Sequence, residues 1–335
     1  VQSVDALRRN LDARLAQAGF VTSSVLAPAQ NLGSGVLRLL VQTGRIGSVV
    51  RRKAGVNTTS AIASNALAFG PGDVLNLRAV EHSLENLARL PSQAASFQIQ
   101  AGEQAGESVL LITSAGARPW QADITLDNAA PEEYGRWQWQ VQAAVDGPLG
   151  LSDQATVQLS QTLRDTTDRG AQRSASLSYS LPLGYVLFNA NVSRSENRRT
   201  IQGTTVRFVE NGYDRSSQLR AQWTFWRSAA ARAALWGSAT GRRAQTFIED
   251  TELVLQRRKS VRRELGLSVS GQHDDAAWSI ELDRNQGRKL QVAPEFGLDA
   301  PEPSRQSQVR LNLSTPVEVA GMKALYIGQA QAQYV

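Results

Sequence analysis

Two histidines, no cysteine and a single methionine are the only imidazole or sulfur ligands in 335 residues. The lack of Cys removes disulfide frameworks, Cys-based zinc sites and thiol catalysis together. His82 lies in a helical stretch between the apolar positions Val80 and Leu84, which reads as a packed or surface imidazole. His273 sits in the turn-like GQHDD (271–275) beside Asp274 and Asp275, where solvated turn residues are the preferred reading over a metal site. The acidic pairs Glu132–Glu133 and Glu249–Asp250 fall in predicted loops. Nucleophile elbows, glycine-rich phosphate loops and H-E-x-x-H are absent from the sequence. The chemistry predicts a protein that is not an enzyme, with no cofactor and no metal.

The basic side is richer. Lys and Arg number 36 against 30 Asp and Glu, a net charge of +6, and only Lys53, Lys259, Lys289 and Lys323 are lysines. The run RRKSVRR (257–263) would suggest nucleic acid if it lay on a helix. It lies in a strand pattern, so Arg258 and Arg262 point one way and Arg257, Lys259 and Arg263 the other. Helices with aromatic stacking platforms are lacking, and no nucleic-acid partner is expected.

Two textures of sequence must position these groups. Up to about residue 118 helical and strand periods mix. Val4, Leu7, Leu11 and Leu15 mark one helix face over 3–18, closed by Gly19. Strand-like runs at 20–28 and 35–42 follow. Then come a strand at 45–52, a short Ala-rich helix at 59–69, a turn at 70–73, a helix over 75–89, and strands at 95–101 and 108–115. This is a strand–helix–helix–strand–strand α+β module preceded by the back half of another.

From residue 121 the pattern has period two. Trp137, Trp139, Val141, Ala143 and Val145 alternate with Arg136, Gln138, Gln140, Gln142 and Asp146. About eleven strands are expected, near 121–128, 134–145, 154–164, 171–181, 185–194, 215–227, 230–241, 252–270, 275–284, 305–315 and 321–335. Long polar loops are expected at 195–213 and 285–303. A mean hydropathy of −0.30 and no long apolar run exclude a helical membrane protein. A soluble sandwich and a membrane β-barrel both remain. The Gln/Ser/Thr/Arg face and the aromatic residues near strand ends, including Tyr185, Trp223, Phe225 and Trp226, favour the barrel.

Several stretches carry a resemblance: GVLRLLVQTGRIGSVV (35–50), LENLARLPSQ (84–93), GEQAGESVLLIT (102–113), RPWQADITLDN (118–128), SLSYSLPLGY (176–185) and IEDTELVLQRRKS (248–260). Together, and in this order, they resemble the outer-membrane transporters of two-partner secretion. The resemblance implies α+β periplasmic modules followed by an antiparallel transmembrane β-barrel. Residues 1–44 would be the C-terminal part of a first polypeptide-transport-associated (POTRA) domain, 45–118 a second, and 119–335 a partial barrel with about eleven of sixteen strands. On this reading the chain is truncated at both ends, lacking a plug helix before it and a V-R-G-Y loop after it.

The implied function is translocation of a large secreted β-helical partner, unfolded in transit, across the outer membrane of a Gram-negative bacterium, with residues 1–118 in the periplasm. Capture by β-augmentation would use the module's edge strand, making Phe97, Gln98, Ile99 and Gln100 candidate substrate-binding residues, flanked by Leu84 and Leu87 of the helix. Arg136, Arg220, Arg232 and Arg310 are candidate lumen-facing residues. Outer-membrane lipid and lipopolysaccharide are expected partners of the basic strand ends. The alternatives are a factor that inserts other barrels and a passive porin or adhesin barrel.

Overall fold

The computed structural model describes residues 2–31, 33, 35–53, 56–58, 64–114, 116–163, 170–290, 303–319 and 322–334. Helix α1 (Gln2–Gln17) stops at Gly19, whose φ of +98° a residue with a Cβ rarely adopts. Strands β1 (Ser24–Leu26) and β2 (Leu40–Gln42) pair antiparallel, and the α1 carboxylate of Asp12 accepts the Val25 N–H at 2.7 Å.

The α+β module follows. It contains β3 (Arg45–Lys53), β4 (Val56–Thr58), α2 (Leu77–Ala88), β5 (Ala95–Ala101) and β6 (Glu107–Ser114). The sheet order is β4-β3-β6-β5, with β3 parallel to β6 and β5 antiparallel to it, so β5 is an edge. Asn76 caps α2 by accepting from the Arg78 N–H. The core packs Ile46, Leu75, Val80 and Leu110 together, with Phe97 against them, and Leu87 with Ala66 and Ile112. Residues 59–63 of the expected helix at 59–69 lie outside the described residues, and Ser64–Ala66 forms a single 3-10 turn rather than a helix.

Beyond the module runs a twelve-stranded antiparallel sheet in sequence order. Its members are β7 (Trp120–Asp127), β8 (Trp137–Asp146), β9 (Gln154–Leu163), β10 (Ala171–Leu183), β11 (Val186–Gln202), β12 (Arg207–Arg227), β13 (Ala231–Ile248), the short β14 (Thr251–Glu252), β15 (Arg258–His273), β16 (Ala276–Lys289), β17 (Ser304–Val319) and β18 (Met322–Tyr334). One expectation fails here. Residues 195–213 are not a long loop, because β11 and β12 stay paired out to Gln202↔Arg207 and leave only 203–206 as the turn. The stretch is largely polar, as loops are, but here the main-chain ladder runs on past the apolar band whatever the side chains. Of 285–303, residues 285–289 continue β16, and 291–302 lie outside the described residues.

The period-two pattern sorts into two faces. Val141 opposes Ile124 and Leu159, and Leu177 opposes Val157 and Val192, all on a face where large apolar side chains stand exposed. So extensive an apolar surface is untenable in water and suits lipid. The other face is hydrogen-bonded polar surface. Asn191 donates to Ser178 at 2.7 Å, and Arg310 donates to Glu281 at 2.7 Å and to Asp283 at 2.9 Å.

Within that polar face Trp236 is buried between Gly266 and Arg220, whose guanidinium lies 3.8 Å from the ring centroid. A Cβ on Gly266 would sit 2.5 Å from the ring. Gly266→Val should therefore expel the indole from under Arg220 at a cost of about 1–3 kcal/mol. The expected readout is an earlier chemical unfolding midpoint with red-shifted tryptophan emission.

Candidate functional site

The joint between the module and the sheet concentrates the buried polar chemistry. Helix α2 carries His82, Glu85, Asn86 and Arg89 at i, i+3, i+4 and i+7, one stripe that faces the sheet's short hairpin turns. His82 and Asn86 are only 7% and 8% exposed. Both reach the carbonyl of Gly184, His82 Nε2 at 3.2 Å and Asn86 Nδ2 at 2.9 Å, while the Gly184 N–H donates to Asn65 O at 2.7 Å. Gly184 and Tyr185 form the two-residue turn between β10 and β11, and Gly184 supplies the positive φ (+54°). Tyr185 stacks on the His82 ring with centroids 4.9 Å apart, so it belongs to the joint rather than to a membrane girdle.

The neighbouring turn docks through Arg89 and the 3-10 turn after it. Arg89 donates to Ser180 Oγ and to Ser152 O. Ser92 donates through both its N–H and its hydroxyl to Asp146, and Ser152 donates to Gln93 Oε1 at 2.8 Å.

The charged corner of the joint depends on a bulge. The β12–β13 register shifts between Thr224 and Trp226, leaving Phe225 and Trp226 both exposed and turning Arg227 onto the polar face. Arg227 then grips Glu85 with two bonds of 2.8 Å, and Arg232 adds a third at 3.0 Å. These hydrogen bonds from Arg227 hold the Glu85 carboxyl below the usual carboxylate range.

Burial pushes His82 below its ordinary 6.5, with Arg227 and Arg232 acting in the same direction and Glu85 against them. Only a carbonyl faces Nε2, so that nitrogen carries the proton, and Nδ1 is buried without a partner among the described residues. The fold thus holds the neutral ring. Below pH 6.5 the unfolded chain takes a proton that the folded one refuses, so stability falls as pH falls towards the lowered value. Chemical unfolding midpoints between pH 7.5 and 5.5 should drop for the wild type and stay flat for His82→Gln. Glu85 does not interfere, because its contribution is lost only below its ordinary 4.5.

The candidates named from the sequence scatter. Leu87 is 2% exposed and Phe97 packs on the core, so neither presents a free side chain, while Gln98, Ile99 and Gln100 are exposed on the β5 edge and Leu84 is half-buried. Arg220 and Arg310 lie on the polar face, where both meet Glu281. Arg136 pairs with Glu132 near the start of β8. Arg232 shares the polar face, but its guanidinium is committed to Glu85. The joint residues Asn65, Asn86, Arg89, Gly184 and Arg227 were missed. Their one legible trace is the uncharged polar pair His82 and Asn86 on an otherwise amphipathic helix.

Residues 106–335 match the family described as haemolysin secretion/activation protein ShlB/FhaC/HecB. The chain belongs to that family. Residues 45–101 match a POTRA domain and 1–44 a ShlB-type POTRA domain. Outer membrane transporter CdiB-2 of Burkholderia pseudomallei (strain 1026b) is 27% identical across 99% of this chain and 57% of its own length. Hemolysin transporter protein ShlB of Serratia marcescens is 28% identical across 85% of this chain and 50% of its own. The chain spans about half the length of the curated relatives it matches. Among solved structures, CdiB from Escherichia coli superposes with a TM-score of 0.87 at 22% identity, covering 100% of this chain and 62% of that one. The fold is therefore POTRA modules followed by an antiparallel sheet of the outer-membrane barrel type.

Proposed function

We propose that this protein serves the export of a large secreted polypeptide across the bacterial outer membrane, capturing it in the periplasm and passing it along the polar face of the sheet. On this reading residues 1–44 are the C-terminal part of a first POTRA domain, 45–118 are the second, and 119–335 are barrel. The observation that carries the reading is the outer edge of β5, unpaired among the described residues, in a module whose helix α2 hydrogen-bonds to the sheet's turns. An unfolded partner adds to that edge through main-chain bonds, with Gln98, Ile99 and Gln100 as the contacting residues and Leu84 beside them. The polar face, studded with Arg220 and Arg310, then offers hydrogen bonds without apolar traps. Partner folding outside the cell supplies the drive.

The test places a photo-crosslinking side chain at Gln98 or Gln100 and, as a control, at the exposed Asp123 of β7. Crosslinks to the secreted partner are expected from β5 and not from the control. Ile99→Pro, which removes one main-chain N–H of β5, should weaken partner binding about tenfold where that donor serves the partner, with circular dichroism showing the module intact. Crosslinking equal at both places, or absent at β5 alone, would remove the edge from the mechanism.

A further inference from the structure

Four cations stand abreast on the apolar face of the sheet. In one cross-strand row Arg194 of β11 opposes Arg215 of β12, Arg215 opposes Arg243 of β13, and Arg243 opposes Lys259 of β15. Each shares the strand parity of an exposed apolar residue (Val192, Leu219, Leu235 and Leu265), so the row lies on the lipid side, towards the end remote from α2. Like charges set directly opposite one another destabilise a sheet. The protein neutralises this row only in part. Arg194 meets Glu196, which Arg173 also claims. Arg215 and Lys259 have no carboxylate partner among the described residues, and Arg243 contributes only a longer-range field at Glu252.

Two adjoining hollows give the row a shape. One, of about 440 Å³, is lined by Arg194, Arg215 and Arg243 together with Tyr213 and Phe247, whose rings meet edge to face at 5.6 Å. Glu249 and Asp250 close its outer rim. The other, of about 410 Å³, is an apolar trough along Val157, Leu159, Leu177 and Val192. Arg194 and Arg215 line both. A cationic, aromatic-walled pocket that opens into an alkyl trough on a lipid-facing surface matches a molecule with an anionic head and acyl chains.

We propose that this surface binds a phosphorylated, acylated glycolipid of the outer leaflet, the lipid A part of lipopolysaccharide. Phosphate oxygens take forked hydrogen bonds from the guanidiniums, sugar rings rest on Tyr213 and Phe247, and acyl chains fill the trough. The assignment of leaflet rests on the outer-membrane reading above, with the α2 joint on the periplasmic side.

Binding is measured on the purified protein in detergent by native mass spectrometry, with bis-phosphorylated lipid A, dephosphorylated lipid A and inorganic phosphate as probes. Phosphorylated lipid A should bind about tenfold or more tighter than the dephosphorylated form. Arg215→Gln with Arg243→Gln should abolish that preference. Arg284→Gln with Arg305→Gln, also exposed cations of the sheet, should leave it intact. Circular dichroism verifies the fold of each variant, and Arg215→Gln alone serves if the pair does not fold. Equal affinity for both lipids, equal loss in both double variants, or binding of inorganic phosphate as tight as that of lipid A would overturn the proposal. Labelling of Thr204→Cys, in the exposed turn between β11 and β12, on intact cells checks orientation separately. Protected cysteine with lipid preference retained would defeat the topological reading and leave the anionic-lipid site standing.

Discussion

Val141→Arg should block stable membrane insertion, whereas Gln140→Arg one residue earlier should be tolerated. Val141 sits in mid-β8 between Ile124 and Leu159 on the apolar face. An arginine there near the bilayer midplane costs about 2–4 kcal/mol, a large part of a typical folding free energy of about 5–15 kcal/mol. Gln140 pairs with Thr125 and Ser160 on the polar face, where a guanidinium stays solvated. Urea titration of each variant in lipid vesicles, followed by tryptophan emission, measures the difference. Equal destabilisation would defeat the assignment of two distinct faces, and a reversed order would mean that the register is shifted, since a slip of one residue exchanges the faces.

That contrast was legible because the side-chain period of a strand is two and lipid tolerates no ambiguity about faces. The same alternation located all eleven long strands of the sheet. It failed where the constraint lapses. Over Ser195–Gln202 and Arg207–Asp214 polar side chains predominate and the few apolar ones, Ile201, Phe208 and Val209, keep no period of two, yet the ladder continues from Ser195↔Asp214 to Gln202↔Arg207. Main-chain pairing leaves no trace in hydropathy.

The site was less legible for a related reason. The edge position of β5 was implied by the family resemblance, not by the residues themselves, and the sheet order β4-β3-β6-β5 agrees with it. The joint instead depends on turns far from α2 in sequence, such as Ser152, 63 residues from Arg89, and Gly184, 98 residues from Asn86. Nothing local in the helix names that partner. Arg227 illustrates the difficulty best. By strict alternation it would share a face with Trp223 and Phe225, and only the bulge brings it to Glu85. The adjacent aromatics Phe225 and Trp226, both exposed on the lipid side, are the sequence mark of that bulge.

Arg227→Glu should detach the module from the sheet's turns. The wild-type guanidinium is 16% exposed and holds Glu85 through two bonds of 2.8 Å, with Glu81 at 3.7 Å. Reversing its charge sets a third carboxylate against these two, and leaves Glu85 only Arg232 and Glu81 only Arg78 as counter-ions among the described residues. Breaking one side of a buried pair costs about 3–5 kcal/mol. Glu85 is 46% exposed, so solvent screening reduces the expected loss to about 2–3 kcal/mol. Adding Glu85→Gln should recover part of that loss, because it removes the repulsion the first change created, and a double-mutant cycle isolates the coupling. Docking can be read from protease cleavage near Ala117. Additive effects of the two substitutions would show that the side chains do not meet. Under the proposed export function, transport at the wild-type rate with the module detached would mean that a partner captured on β5 reaches the sheet without a fixed joint.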